Sequence, residues 1–594
     1  MGRRVAVALM LAAAVALPLI AGGYWLYLLS LICAYGLAAL GLNLLMGSAG
    51  SISLGHGGFM ALGAYGTTVL VSVAHLPYAL AFVLAILGCG LVGIVVGLPA
   101  IRLKGLYLAI ATLGFGVCIQ RLIFDARGIT AGAAGLAVPA PSFFGFSFDN
   151  EVRLYYLALV FAVIASLAIS NILRHRVGRM ILALRDDEIA AISFGVNSTR
   201  IKLVVFSLSA MLAGVGGALY AALLGFISPE HFTVWLSVSL IAMVVIGGLG
   251  SIAGSFFGAA FVMLVPEMLR GIGQYQQIVY GLAMVGVFMA WPTGLMGAVV
   301  AIGGRLAGVR PAKPPNAGEI ARITSGASGA DLRRPGGNNA MTGLAVSRLS
   351  MHFGGLKAVS NASLAVLPAT IVGLIGPNGS GKSTIINLVS RLYEPSGGNM
   401  AFDGDDLLAR DRAEVVGLGI ARTFQNVRLF RTLSVRDNLL LGRTNRTSSG
   451  FLGAALNLRA ARNEERQSAA QVAELAELIG LAPDLETVAG HLPFGKQKLV
   501  EFGRALAAEP RLLLLDEPVA GMTDAEKELL VEILSRIQQL RQISILLVEH
   551  DVAFVTAICR HIYVLDFGSV IAEGTPDEIQ ENPRVVEAYL GAAA

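Results

Sequence analysis

The residues best placed to do chemistry form one loop, Gly376-Pro377-Asn378-Gly379-Ser380-Gly381-Lys382-Ser383-Thr384. It follows the apolar run Thr370–Ile375, which reads as a buried strand, and precedes Ile385–Val389, which reads as a helix. Strand, glycine-rich loop and helix are the setting a Walker A motif requires. The glycines allow successive backbone N–H groups to face inward around phosphate oxygens. Lys382 can reach the β- and γ-phosphates, and the Ser383 hydroxyl can ligate Mg²⁺.

Phosphoryl transfer also needs a metal-holding carboxylate and a group that positions water. The run Leu512-Leu513-Leu514-Leu515-Asp516 reads as a buried strand ending in a carboxylate, and Glu517 follows it as a candidate base. Between loop and carboxylate, Gln425 lies in Arg422-Thr423-Phe424-Gln425-Asn426 and can sense the metal and the γ-phosphate. His550, after the strand Ile543–Val548, can donate to the γ-phosphate; Phe353 can stack on an adenine or fill a strand core.

These parts must be held by a soluble α/β domain, but the chain is more than that. Its 594 residues exceed a single core. Its apolar content is 55%, against about 45–50% in an ordinary soluble protein, and the excess lies in residues 1–302. A net charge of +5 on this length gives no argument for nucleic acid; basic loops facing anionic lipid suffice. The four cysteines are scattered, with no metal-ligand spacing.

A helical span takes about 20 apolar residues. Ten candidates follow: 5–22, 24–46, 54–75, 78–100, 105–124, 153–172, 203–226, 232–250, 252–270 and 276–300. The basic start Met1-Gly2-Arg3-Arg4 has no clear small-residue cleavage site after it, so the first run is expected to be retained. Arg3 and Arg4, Arg102 and Lys104, the six Lys and Arg residues between Arg174 and Lys202, and Arg305 with Arg310 all fall on one side of an N-in arrangement. By the positive-inside tendency that side is the cytoplasm, where ATP is. Residues 303–342, rich in Gly, Ala, Pro and Arg, read as a flexible linker, so the expected organisation is 1–302, 303–342 and 343–594.

The longest cytoplasmic loop holds Arg185-Asp186-Asp187-Glu188-Ile189-Ala190-Ala191-Ile192-Ser193-Phe194-Gly195. It reads as a short amphipathic helix with a polar start and a glycine stop. A plain surface helix and a plug for a socket on an ATPase fit that pattern equally.

The order of aromatic, Walker A, glutamine, helical insertion, Leu492-Pro493-Phe494-Gly495-Lys496, Asp516-Glu517 and His550 resembles the ATPase of ABC transporters over residues 342–594. Phe353-Gly354-Gly355-Leu356-Lys357-Ala358, Arg422 to Phe430, and the tail Ile571–Pro576 with Val586–Gly591 resemble the ATP-binding subunit of branched-chain amino-acid (Liv-type) importers. Residues 1–302 resemble the permease of the same systems, through Gly41–Gly47 with Ser53-Leu54-Gly55-His56, Ala111–Gly116, Arg185–Ala191 and Gly247–Gly254.

The resemblance implies a polytopic α-helical membrane domain of about ten spans, followed by an α/β P-loop ABC ATPase domain with a helical subdomain. It implies ATP as substrate and Mg²⁺ held by Ser383, Gln425 and, through water, Asp516. It makes 185–195 a coupling helix and Leu492–Lys496 the signature that completes a partner's site. Two departures stand out: Lys496 where the family usually carries Gln, and Thr523 where many members carry the D-loop aspartate. The implied partners are a second permease, a second, non-identical ATPase and an external solute-binding protein, in a bacterial inner membrane with the ATPase in the cytoplasm. The implied solute is a branched-chain amino acid, with urea, amides and other small organic solutes as alternatives. A membrane-tethered regulatory ATPase that transports nothing, or an exporter with fewer and longer spans, are the rival classes.

Overall fold

The computed structural model describes residues 12–103, 105–143, 145–299 and 343–590. Contacts divide the chain into two units, residues 1–173 with 199–312, and residues 174–198 with 313–594. The segment Arg174–Ser198, which lies inside the expected membrane half, thus groups with the second unit. The expected linker 303–342 lies outside the described residues.

The first unit is helical: α1 (Gly23–Asn43), α2 (His56–Ser72), α3 (Tyr78–Ala100), α4 (Leu106–Asp125) and α5 (Glu151–Arg174). The chain then leaves it for α6 (Arg176–Asp186) and α7 (Glu188–Ser193), and returns as α8 (Ser198–Leu224), α9 (Val234–Gly247), α10 (Ile252–Met268) and α11 (Gln276–Ala290). Among the described residues five helices are long and apolar enough to cross a membrane, or six if the bent pair is one span. That contrasts with the ten expected from hydropathy. Of the run 5–22, residues 5–11 lie outside the described residues. Apolar character continues through breaks that end a helix: α9 stops after 14 residues where Gly248 takes φ +117. The runs 252–270 and 276–300 supply the helices Ile252–Met268 and Arg270–Ala290, a pair bent by 96°, with Pro266 inside α10 and Gly273 at φ +60 between α10 and α11.

Side chains near the helix breaks are tied across the unit. The Asn43 amide donates to Ser251 O (2.8 Å) and Ser255 Oγ (3.0 Å) and accepts from Gly250 N (2.7 Å). His56 joins Ser53 Oγ (3.1 Å) and Ser209 Oγ (2.6 Å), and Ser209 donates to Gly41 O (2.6 Å). Thr112 accepts from Leu54 N at 2.9 Å. These polar side chains hold helices together through hydrogen bonds, as polar groups away from water must.

The helices also approach backbone to backbone. A Cβ on Gly217 would stand 2.0 Å from Met60 O, and one on Gly63 2.1 Å from Gly214 O, so only glycine fits.

The second unit carries the α/β core. An antiparallel sheet sets β1 (Leu344–Phe353) between β2 (Leu356–Val366) and β4 (Gly397–Phe402). The central sheet has the order β5 (Ile420–Arg422), β6 (Leu512–Asp516), β7 (Ser544–Val548), β3 (Ile371–Ile375), β8 (His561–Asp566) and β9 (Ser569–Gly574), with only the last pair antiparallel. Every residue of β3, β6 and β7 is buried, as expected for parallel strands covered on both faces. Helix α12 (Lys382–Val389) follows β3; α13 (Val435–Gly442), α14 (Arg459–Leu478) and α15 (Phe494–Ala507) form the helical part; α16 (Asp524–Arg541) follows β6.

Gly217→Leu is expected to cost about 1–3 kcal/mol or more through overpacking, and to lower the thermal midpoint of the detergent-solubilised protein. Gly88→Leu in α3, where nothing lies within 4 Å of the added Cβ, should leave it unchanged. A thermal shift assay on the two variants checks this.

Candidate active site

Strand register brings the chemistry together. Asp516 pairs with Val548 and Val548 with Leu374, so β3, β6 and β7 end at one level. In a parallel sheet that edge is where ligands bind. The loop 376–381, Asp516-Glu517 and Glu549-His550 all leave the sheet there.

Gly376 takes φ +149 and Gly381 φ +102. A Cβ would stand 2.0 Å from Leu565 O at the first and 2.4 Å from Ala358 O at the second, so the loop closes only with glycine. The Lys382 ammonium donates to Gly376 O and Pro377 O, both at 2.8 Å, and arches over the loop. Burial pushes its pKa down, opposed by the negative charges of Glu517 and Asp516. Asn378 and Gly379 are exposed at the tip, while Ser380 is buried and Thr384 is partly buried in α12.

Ser383 Oγ donates to Asp516 Oδ1 at 3.1 Å. A hydroxyl paired with a carboxylate is a set of hard oxygen donors, which suits Mg²⁺. Burial raises the Asp516 pKa, and the Arg422 guanidinium and the Ser383 hydrogen bond oppose that rise. Gln425 Nε2 donates to Glu517 Oε2 at 3.2 Å. His550 Nδ1 stands 4.0 Å from the same oxygen, outside hydrogen-bond range, with its side chain 57% exposed. The site therefore brings together Lys382, Ser383, Gln425, Asp516 and Glu517, with His550 beside them.

Glu517 sits at φ +49, a left-handed conformation that is costly for a residue with a Cβ. Its N–H donates to Val548 O at 2.9 Å, and the Lys498 ammonium donates to Glu517 O and Pro518 O, each at 3.1 Å. The backbone is thus fastened on both sides of the strained residue.

Phe353 ends β1 with its ring edge-on to Tyr393, centroids 5.4 Å apart, and is 42% exposed. Leu492 is buried, Pro493 and Phe494 are exposed, and Gly495 opens α15 together with Lys496. Lys496 is ion-paired with Asp484 at 2.7 Å. None of these five hydrogen-bonds to the loop or to Glu517 in the contacts described. Thr523 caps α16: its hydroxyl and N–H engage the Glu526 carboxylate at 3.0 and 2.9 Å.

The segment 185–195 packs on the same unit. Asp187 caps α7 by accepting from Ala190 N (2.9 Å) and receives both hydrogen bonds of Arg428 (3.0 and 3.1 Å). Asp186 accepts from Thr432 N (3.0 Å) and Thr432 Oγ1 (2.6 Å), and Arg185 donates to Thr432 Oγ1 (2.7 Å). Glu188 accepts from Ser198 Oγ at 2.5 Å. Ala190 and Ala191 are fully buried, while Ile189 is 41% exposed. Gly195 takes φ +83, and a Cβ there would meet the Asn445 side chain at 2.1 Å. The deepest apolar contact is Phe194, fully buried with its ring centroid 4.6 Å from the Arg504 guanidinium. The small apolar face expected at Ala190–Ile192 is thus extended by a large aromatic.

Sequence reasoning passed over several members of this site. Glu549, fully buried, accepts from Val519 N (2.9 Å) and His550 N (3.0 Å), and so ties the loop after Glu517 to the one carrying His550. Its signal was a carboxylate closing an apolar strand, as at Asp516. Lys498, Glu501 and Arg504 read as ordinary helix-surface charges, and nothing in their spacing marked them as buried; Arg428, half-buried, read as a loop charge.

Three family profiles match the chain. Residues 24–288 match a branched-chain amino acid transport system permease component, residues 359–520 an ABC transporter, and residues 569–594 a branched-chain amino acid ATP-binding cassette transporter. The high-affinity branched-chain amino acid transport ATP-binding protein BraF of Pseudomonas aeruginosa is 37% identical over 250 residues, 42% of this chain and 98% of the relative. The corresponding protein LivG of Escherichia coli is 38% identical over the same shares. The Escherichia coli permease protein LivM is 36% identical over 312 residues, 48% of this chain and 73% of the relative.

Two substitutions separate binding from turnover. Lys382→Ala should weaken nucleotide binding by about 10–100-fold, the worth of a charged hydrogen bond of about 1.5–3 kcal/mol. Glu517→Gln should keep affinity and slow hydrolysis about 10²-fold or more, when the partner ATPase is also disabled. Titration with a fluorescent ATP analogue and phosphate release measure the two effects.

Proposed function

The chain belongs to the branched-chain amino acid ABC transporter family, with a permease component and an ATP-binding component in one polypeptide, and from this premise we propose that it is the fused permease–ATPase subunit of an importer of branched-chain amino acids. The observation that carries the coupling is the seating of the 185–195 segment on Arg428 and Thr432, a few residues past Gln425. That segment lies in the stretch of chain that joins α5 to α8, so a shift of the Gln425 loop is delivered to two membrane helices.

In the ATP site, the backbone N–H groups of Gly379 to Ser383 and the Lys382 ammonium hold the phosphates, and Phe353 offers an exposed ring to the base. Ser383 and Asp516, with Gln425, would hold Mg²⁺, which when bound neutralises charge on the phosphate oxygens. Glu517 accepts the proton of the attacking water. The Gln425 amide, bonded to Glu517, keeps its carboxylate aimed, and His550 donates to the γ-phosphate.

Residues 1–302 serve as the permease, 303–342 as a linker and 343–594 as the ATPase. An N-in membrane domain with an even number of crossings, ten on the hydropathy reading, keeps the ATPase beside the basic loops in the cytoplasm of a bacterial inner membrane. A second permease, a second ATPase whose site is completed by Leu492–Lys496, and an external solute-binding protein complete the machine. The family supports leucine, isoleucine and valine ahead of urea or amides.

The test is ATP-driven leucine uptake by proteoliposomes holding the chain with its partner subunits and binding protein. Uptake should need hydrolysable ATP and be competed by isoleucine or valine but not by urea. Ala191→Arg, a bulky charge at a fully buried docking position, should retain ATP binding but lose leucine-stimulated hydrolysis and uptake. Normal uptake by that variant would remove the coupling role of the segment.

A further inference from the structure

Helix α15 carries three charged side chains at three-residue spacing, Lys498, Glu501 and Arg504, which share one face of a helix. All three are buried. Buried charges are costly and do not by themselves stabilise a fold, so their partners decide what they are for.

Those partners belong to three different parts of the machinery. Lys498 donates to Glu517 O and Pro518 O, holding the strained turn of the candidate base. Glu501 Oε1 accepts from Phe424 N and Arg428 N, both at 3.3 Å, and so brackets the loop that carries Gln425. Arg504 donates to Arg428 O at 2.6 Å and lies 3.7 Å from the Glu501 carboxylate. Its guanidinium is flanked by Phe430 and Phe194, each ring centroid 4.6 Å away. Nε and Nη1 of Arg504 have no hydrogen-bond partner among the described residues. The two rings therefore supply much of what compensates this buried cation, and one of them, Phe194, belongs to the docking segment.

We propose that Lys498, Glu501 and Arg504 are positioning residues that link the docking of Phe194 to the placement of Gln425 and Glu517. The proposal rests on the coupling role of the 185–195 segment and adds the route by which it reaches hydrolysis. When Phe194 withdraws, Arg504 loses an aromatic face and shifts with its Glu501 partner. Glu501 carries the backbone on both sides of Gln425, and α15 carries Lys498 and the Glu517 turn with it. Seating of the segment then sets the hydrolytic geometry, independent of which solute is moved.

A mutant cycle on basal ATP hydrolysis by the assembled transporter tests this. Phe194→Leu and Lys498→Met should each lower kcat about tenfold, with KM for ATP within about twofold, and the double variant should be no worse than about tenfold because both break one linkage. Lys498→Arg, which restores the cation, should recover most of the rate. If Phe194→Leu assembles poorly, Phe194→Met enters the same cycle. A double variant lowered about 100-fold, the product of two independent effects, would overturn the proposal; so would unchanged single variants, or a Lys498→Arg variant no better than Lys498→Met. Leucine stimulation of the wild-type rate is read in parallel. Its absence would count against the transport reading while the basal cycle still decides the linkage.

Discussion

A buried guanidinium between two phenylalanine rings is the interaction on which the second unit's organisation turns. Arg504 cannot shed its charge, and in the interior it must be compensated wherever it stands. Phe194, Phe430, Glu501 and the Arg428 carbonyl do so together. Because Phe194 arrives from the segment between α5 and α8, the ATPase core is completed by a piece of chain that the sequence assigns to the membrane half. The Arg179–Glu465 and Asp187–Arg428 pairs fix that piece at two points, the first with both carboxylate oxygens engaged.

The same economy holds at the phosphate site. Parallel pairing levels the ends of β3, β6 and β7, so that a loop, a carboxylate pair and a histidine from distant stretches meet without any long connection. Their side chains are already bonded to one another: Lys382 to loop carbonyls, Ser383 to Asp516, Gln425 to Glu517. Nucleotide phosphates and a divalent cation would exchange these bonds for stronger, charge-assisted ones. Glu517 carries a left-handed backbone there, held by its own N–H donating to Val548 O and by the Lys498 ammonium donating to its carbonyl.

Much of this was legible in the sequence, for identifiable reasons. Buried parallel strands read as unbroken apolar runs, which marked Ile371–Ile375 and Leu512–Asp516 and hence the loop and the carboxylate at their ends. The polar start and glycine stop of α7 marked a helix that the Asp187 cap and the positive φ of Gly195 bear out. Other features have no local signature. Hydropathy sums through Gly248 and the Pro266–Gly273 bend, so it cannot tell a short or bent helix from a full span. The register shifts within β1 likewise have no sequence signal. Phe194 is one more apolar residue in an apolar stretch, and Lys498, Glu501 and Arg504 look like solvated helix charges until the fold supplies their partners.

The central claim is that ATP turnover and solute movement are joined through the docked segment. Exchanging the charges of Arg179 and Glu465 addresses it most directly, because the pair fastens α6 to α14 away from the ATP site. The measurement is the amount of leucine taken up per ATP hydrolysed in proteoliposomes. Arg179→Glu and Glu465→Arg alone should each lower that ratio severalfold, and the two together should restore most of it. A ratio unchanged in both single variants, with assembly intact, would contradict the account.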